Sequence, residues 1–305
     1  MPMCEQQILS LVTATLGATP LHATRMTFGH SSITFDVTLP DRHIIVRTNT
    51  QPTVFAHTAR NLTALANLGL PVPTILAADL SQTHYPFAYL ILPKIPGRDL
   101  RYELPTMTPQ QMTRVAEQIV AYQRLVATLP PGKAYGWAPL GEQGQYASWW
   151  DLLQAELASR KQYPPTGPYT ELVARLSQAI DRCAPYLHAV PPICFLDDVT
   201  TKNVIIENGE LQGLIDFDVV CYGDPLFQIG LTATAVIADI GPSSFYYVEE
   251  LCRLWPLTAD QQRAVWLYAA NFGLEFIQRS QNEEPPVWTQ RMLTHVEHWL
   301  EFVER

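Results

Sequence analysis

Two acidic stretches stand close together in an otherwise apolar part of this chain. Residues 195–203 read FLDDVTTKN, and residues 213–218 read GLIDFD. Between them, the apolar runs VII and GLI flank the turn residues ENGE, a hairpin signal. A tight hairpin folds its two ends together, which brings Asn203 at its start toward Asp216 at its finish, with Asp198 facing them from the preceding loop. Acid, amide and acid at one place make a hard, oxygen-rich site suited to Mg²⁺. Phosphoryl transfer from a nucleotide needs those parts: two oxygen donors to hold Mg²⁺ against the phosphates, and a separate carboxylate to orient or deprotonate the attacking hydroxyl. Asp and Asn are also common turn residues, but turn chemistry does not explain three such groups framing one hairpin.

The elements that must position this insert follow from the residue pattern. Ile8, Leu9, Val12 and Leu16 recur at helical spacing over 5–16. A strand is expected near Arg25–Phe28, then a Gly-containing loop, Gly29–Ser32. ITFDVTL and HIIVRTN, joined by PDR, read as a hairpin. Residues 54–68 read as a helix that stops at Gly69 before the Pro-rich LPVP. Strands at Thr74–Ala78 and Ala88–Leu92 complete a small, mostly antiparallel sheet with one helix. PKIPGRDL (93–100) reads as a linker. Beyond it helices are expected at Thr108–Leu129, Ser148–Gln162, Tyr169–Val190, 225–239, 243–254, 258–281 and 287–304, with surface loops at 130–145 and 163–168. The fold class is α+β in two lobes, residues 1–94 and 95–305.

Composition narrows the function. With 305 residues and 47% hydrophobic content, the chain can bury a sizeable core, and 16% charged residues argue against long disorder. A formal net charge of −9 argues against a nucleic-acid partner, because phosphate-backbone binding needs clustered Lys and Arg. No run of about 18 apolar residues predicts a membrane span, and the N-terminal residues lack a signal-peptide pattern. A cytoplasmic location is the expectation. Cysteines at 4, 183, 194, 221 and 252 form no C-x-x-C motif, so neither a zinc site nor a disulfide framework is expected. Trp149 and Trp150, and the aromatic positions Trp266, Tyr268 and Phe272, read as helix-packing residues. His295 and His298 read as a partly buried helix face.

The motifs DVTTKN (198–203), IDFD (215–218) and YGDP (222–225), with PGRDL (96–100) and GLPVPTIL (69–76), resemble the aminoglycoside phosphotransferase and choline kinase family, small-molecule kinases with a protein-kinase-like fold. The resemblance spans roughly residues 23–230. It implies a bilobal protein-kinase-like fold, a small antiparallel-sheet N-lobe and a mostly helical C-lobe, with ATP or GTP and Mg²⁺ in the cleft. It implies Asp198 as the catalytic carboxylate, and Asn203 and Asp216 as Mg²⁺ ligands. Arg47 takes the position of the usual phosphate-binding Lys. Gly29, Ser31 and Ser32 would lie over the triphosphate, and Ile91 and Leu92, in the segment Ile91–Lys94, would meet the purine through their backbone. The reaction implied is transfer of the γ-phosphoryl group to a hydroxyl of an aminoglycoside, aminoalcohol or sugar-like acceptor.

Four departures stand out. Leu196 and Asp197 replace the family's His-Gly before the catalytic Asp. Lys202 replaces a small residue and would meet a phosphate oxygen or pair with Asp197. Arg47 replaces Lys. Residues 54–68 contain no Glu to pair with it, leaving Thr58 or Asn61 to bond Arg47 more weakly. These departures keep a second reading open, a nucleotide-binding pseudokinase. Asp218 is a candidate for a metal or substrate role, or a loop cap, and Asp224 for anchoring the backbone of the catalytic loop. A protein kinase proper is disfavoured: there is no G-x-G-x-x-G loop, and only six residues lie between Asp218 and Pro225.

Overall fold

The computed structural model describes residues 5–26, 32–162, 167–280 and 284–305. It divides into two compact units, Met1–Pro96 with Gly213–Val219, and Gly97–Gln212 with Val220–Arg305. The boundary expected after Lys94 thus falls after Pro96. The segment Gly213–Val219, expected with the helical part, groups with the sheet.

In the first unit, helix α1 (Glu5–Leu16) precedes strands β1 (His22–Arg25), β2 (Ile33–Thr38) and β3 (His43–Asn49). Helix α2 (Pro52–Asn67) and strands β4 (Ala77–Asp79) and β5 (Ala88–Pro93) follow. The five strands form one sheet in the order β1-β2-β3-β5-β4, and every pairing is antiparallel. Strand alternation sends successive side chains to opposite faces. Ile44 and Val46 of β3 join Phe35, Val37 and Ile91 against Ile8, Leu11 and Val12 of α1. On the other face Leu90 and Ala88 pack with Phe55 of α2. Arg47, one residue out of phase with Val46 and opposite Leu90 in register, therefore stands on the α2 face. Helix α2 ends as the sequence predicts. Gly69 is left-handed at φ +87°, and the N–H groups of Gly69 and Leu70 close back on Ala66 and Leu65 at 2.9 and 3.1 Å, a Schellman ending. The strand expected at Thr74–Ala78 begins only at Ala77, after Pro71 and Pro73, which have no N–H to pair.

The second unit opens with β6 (Arg98–Asp99) and a short α3 (Leu100–Glu103). It continues with α4 (Pro109–Val126), β7 (Gly136–Ala138), α5 (Trp149–Lys161), α6 (Pro168–Ala189), β8 (Ile193–Phe195), β9 (Val204–Glu207), β10 (Glu210–Leu214) and β11 (Val220–Gly223). Four helices close the chain: α7 (Leu226–Asp239), α8 (Tyr246–Leu254), α9 (Ala259–Ser280) and α10 (Pro286–Glu304). The β9–β10 hairpin turns through Asn208 and Gly209, both left-handed, at φ +54° and +77°, as an Asn-Gly turn requires. Strand β10 carries the chain from this unit back to the first, and β6 pairs with β9. A second small sheet, β7-β11-β8, was not visible in the sequence. Residues 136–138, expected as surface loop, are a strand with Gly136 and Ala138 buried. Trp149 is fully buried, and its indole N–H donates to the Tyr268 hydroxyl at 2.8 Å. The cysteines at 183, 194, 221 and 252 are free thiols.

Helices α5 and α9 share a polar cluster. Arg160 donates to Glu275 at 2.6 Å, and the Asn271 amide donates to Glu156. Burial, with the Glu275 carboxylate beside it, pushes Glu156 up to about 7, against the pull of Arg160 and Asn271. A carboxyl raised on folding binds its proton more tightly in the native state. Its contribution is complete below about pH 4.5 and fades as pH rises toward 7. Thermal melts of the protein and of Glu156→Gln across that range are expected to show the wild type losing stability relative to the variant as pH rises. A difference independent of pH would contradict this.

Candidate active site

Each unit holds part of the chemistry expected from the sequence. In the second unit, the loop from β8 to β9 carries Asp198 and Asn203. The Asn203 amide Nδ2 donates to the main-chain carbonyl of Asp198 at 2.9 Å. A carbonyl only accepts, so this bond fixes the amide's orientation and turns the hard oxygen Oδ1 away from it. Asp198 is exposed, and its Oδ1 accepts the Thr200 hydroxyl at 2.8 Å. Asp197 turns elsewhere: its Oδ2 accepts the indole N–H of Trp137, on β7, at 2.5 Å. Lys202 does not pair with Asp197. Its ammonium lies 3.1 Å from Asp239 at the end of α7, whose other oxygen takes the Thr201 hydroxyl at 3.1 Å.

The backbone of this loop is held by two buried glutamines that no sequence motif marks. Gln123 of α4 binds Leu196 twice, donating to its carbonyl at 2.6 Å and accepting its N–H at 3.0 Å. Gln228 of α7 donates to the Val199 carbonyl at 3.1 Å. A signal for Gln123 exists: it is the one polar residue in the stripe Met112, Ala116, Ile119, Gln123, Val126 on the buried face of α4. Asp224, expected to anchor this loop, does not. Its Oδ1 accepts the Leu226 N–H at the start of α7 at 3.1 Å. Its Oδ2 takes the hydroxyls of Tyr186 and Tyr268, each at 2.7 Å. Burial raises the Asp224 carboxyl, and these three hydrogen bonds oppose the rise.

In the first unit, Asp216 and Asp218 sit on the segment that rejoins the sheet. The Leu214 N–H donates to the Pro71 carbonyl at 2.9 Å. Asp216 has φ +69°, a left-handed conformation that costs a non-glycine residue energy and concentrates at functional sites. Its side chain keeps 56% of its surface open. Surrounding protein and the Asp218 carboxylate nonetheless raise its pKa, against the pull of Arg47, whose nearest nitrogen is 3.8 Å away. Arg47 grips Asp218 with both terminal nitrogens, at 3.0 and 2.7 Å, and its Nε donates to Ser32 at 3.2 Å. Thr58 and Asn61 do not bond Arg47 as expected. The Thr58 hydroxyl lies 2.5 Å from Asp218 Oδ1, and Asn61 Nδ2 donates to the carbonyls of Phe217 and Asp218 at 2.9 and 3.0 Å. The missing helix glutamate is therefore answered by a carboxylate from another segment.

Gly29 and Ser31 lie outside the described residues. Ile91 and Leu92 stand within β5, both buried. Ile91 gives its carbonyl to the Leu76 N–H at 2.8 Å, and the Lys94 N–H goes to His43 at 3.2 Å. Much of the main chain expected to meet a purine is thus engaged in the sheet. Among the described residues no set of three or more His, Cys, Asp or Glu side chains is arranged to hold a metal. Asp216 in the first unit and Asn203 in the second each carry a hard oxygen donor of the kind Mg²⁺ takes.

The profile of the phosphotransferase enzyme family, APH, matches residues 22–251. The chain belongs to the phosphotransferase enzyme family. Hygromycin-B 4-O-kinase of Escherichia coli is 24% identical over 205 residues, 66% of this chain and 58% of that relative's length. Among solved structures, a thermostable mutant of aminoglycoside phosphotransferase APH(4)-Ia, in ternary complex with AMP-PNP and hygromycin B, aligns with a TM-score of 0.70 at 18% identity, covering 97% of this chain and 98% of that one. The GDP and kanamycin complex of APH(2")-IIia aligns with the same TM-score at 11% identity, with coverage of 97% and 98%. These likenesses show the protein-kinase-like fold. Among the described residues no helix is long and apolar enough to cross a membrane.

Replacing Gln123 by Met keeps the side-chain length and removes both bonds to Leu196. It leaves a buried N–H and a buried carbonyl unpaired, at about 1–3 kcal/mol each. Hydrogen exchange across residues 193–203 is expected to speed up in Gln123→Met. Unchanged exchange would show that this glutamine does not hold the loop.

Proposed function

We propose that this member of the family transfers the γ-phosphoryl group of ATP to a hydroxyl of an amine-bearing, aminoglycoside-like small molecule. The observation that carries the reading is the bond from Asn203 to the Asp198 carbonyl. It sets the proposed catalytic carboxylate and the proposed metal-ligand amide on one turn. In this reading Asp198 accepts the acceptor's hydroxyl proton as the oxygen attacks. Asn203 Oδ1 and the Asp216 carboxylate hold Mg²⁺, which when bound neutralises developing charge on the phosphate oxygens. Arg47, bonded through its Nε to Ser32, meets a phosphate oxygen. Lys202, paired with Asp239, steadies the catalytic loop instead of meeting the nucleotide. Most of the rate enhancement comes from positioning and charge, since phosphoryl transfer leaves the protein little covalent chemistry to do.

ATP is favoured as donor because the APH(4)-Ia structures hold AMP-PNP or ADP. The GDP complex of the other relative makes GTP the competitor to test. The acceptor class rests on the hygromycin B and kanamycin named for those relatives and on the chain's net charge of −9, which suits a cationic acceptor. The compartment proposed is the cytoplasm, where ATP is supplied.

The direct test is phosphorylated product, detected by mass spectrometry, from a panel of aminoglycosides, aminoalcohols and sugars with ATP or GTP and Mg²⁺. Transfer to an aminoglycoside supports the reading; nucleotide binding with no transfer to any acceptor would favour the pseudokinase. Asp198→Asn is expected to lower kcat by at least about a hundredfold while leaving nucleotide affinity near that of the wild type. Asp216→Ala is expected to weaken Mg²⁺-dependent nucleotide binding itself. Equal turnover in Asp198→Asn would remove the catalytic assignment.

A further inference from the structure

We propose that Asp218 is the positioning residue for Arg47, taking over from an acidic residue in helix α2 and tying the phosphate ligand to the segment that carries Asp216. The inference rests on the phosphoryl-transfer reading and deepens it. Helix α2 reads PTVFAHTARNLTALAN, with no carboxylate to hold a cation on β3. An arginine side chain has about 2 kcal/mol of rotamer entropy to lose, so an unheld Arg47 would meet a phosphate poorly.

Asp218 supplies the hold. The guanidinium has five N–H groups. One on each terminal nitrogen goes to Asp218 and the Nε one to Ser32. One N–H remains on each terminal nitrogen for an anionic oxygen. The pair is not a solvated surface contact: the side chains of Arg47 and Asp218 are 11% and 19% exposed. Phe55 underlies the guanidinium, 5.7 Å from its ring centre.

Asp218 is itself fixed from α2. The single Thr58 hydroxyl proton has two acceptors in reach, the Val54 carbonyl at 3.0 Å and Asp218 Oδ1 at 2.5 Å. The shorter contact is to the charged oxygen, the stronger acceptor. Asn61 grips the two carbonyls of residues 217 and 218. The helix thus keeps its office of fixing the cation and exercises it through hydroxyl and amide groups. Because Asp218 lies two residues beyond Asp216, the placement of Arg47 and of a proposed metal ligand depends on one short backbone. A helix glutamate would place the cation alone.

The test is calorimetric binding of AMP-PNP with Mg²⁺, alongside steady-state kinetics. If the wild type does not bind it, the phosphoryl-transfer reading fails and this inference with it. Given wild-type binding, Asp218→Asn is expected to weaken it about 10–100-fold, the range for a charge-assisted pair, and to raise the nucleotide KM more than it lowers kcat. Adding Thr58→Glu to Asp218→Asn returns a carboxylate from the helix and is expected to recover most of that affinity. Should Asp218→Asn not fold, Thr58→Val provides a milder lesion, with a smaller loss in the same direction. Unchanged affinity in Asp218→Asn, or in Thr58→Val where only that variant folds, overturns the proposal. So does a loss that the relocated carboxylate fails to recover, because Asp218 would then act by some route other than holding Arg47.

Discussion

A guanidinium and a carboxylate, meeting as a two-pronged fork at 3.0 and 2.7 Å, join strand β3 to the segment Gly213–Val219. Breaking such a pair on one side leaves a charge in a poorly solvated place, far costlier than losing a surface contact. With the Leu214–Pro71 bond and the two bonds from Asn61, the pair ties the segment to the sheet unit, although the chain on either side of it belongs to the helical unit. The proposed active-site groups are consequently divided. Arg47 and Asp216 belong to one unit, and Asp198 and Asn203 to the other.

The helical unit holds its share by different means. The backbone of its β8–β9 loop is pinned by neutral amides from Gln123, Gln228 and Asn203, which satisfy main-chain groups without adding charge beside Asp198. The extra acid, Asp197, is occupied by the Trp137 indole. Deeper in, Asp224 gathers Tyr186, Tyr268 and the start of α7, and Tyr268 links onward to Trp149.

Much of this was legible in the sequence because it depends on local rules. The β2–β3 hairpin, the stop at Gly69 and the Asn-Gly turn are each dictated by a few adjacent residues, and the structure forms all three. The motif spacing from Asp198 to Asn203 was legible for the same reason. What the sequence hid is long-range. Nothing local to Arg47 announces that its partner lies 171 positions away. Strand β7 escaped notice because three residues among Pro and Gly carry no periodicity, and its pairing with β11 spans the whole of α5 and α6. Gln123 was visible as a polar interruption of an apolar stripe, but its target could not be read without the fold.

The phosphoryl transfer proposed would need little from the protein beyond placement: a carboxylate facing a hydroxyl, two oxygen donors on one ion, and a cation on the phosphates. The most direct measurement is a crystal structure of the protein with Mg²⁺ and AMP-PNP. Asn203 Oδ1 and the Asp216 carboxylate are expected on the ion, at about 2.0–2.1 Å, and Arg47 on a phosphate oxygen while still forked on Asp218. An ion that touches neither Asn203 nor Asp216, or a nucleotide bound out of reach of Arg47, would contradict it.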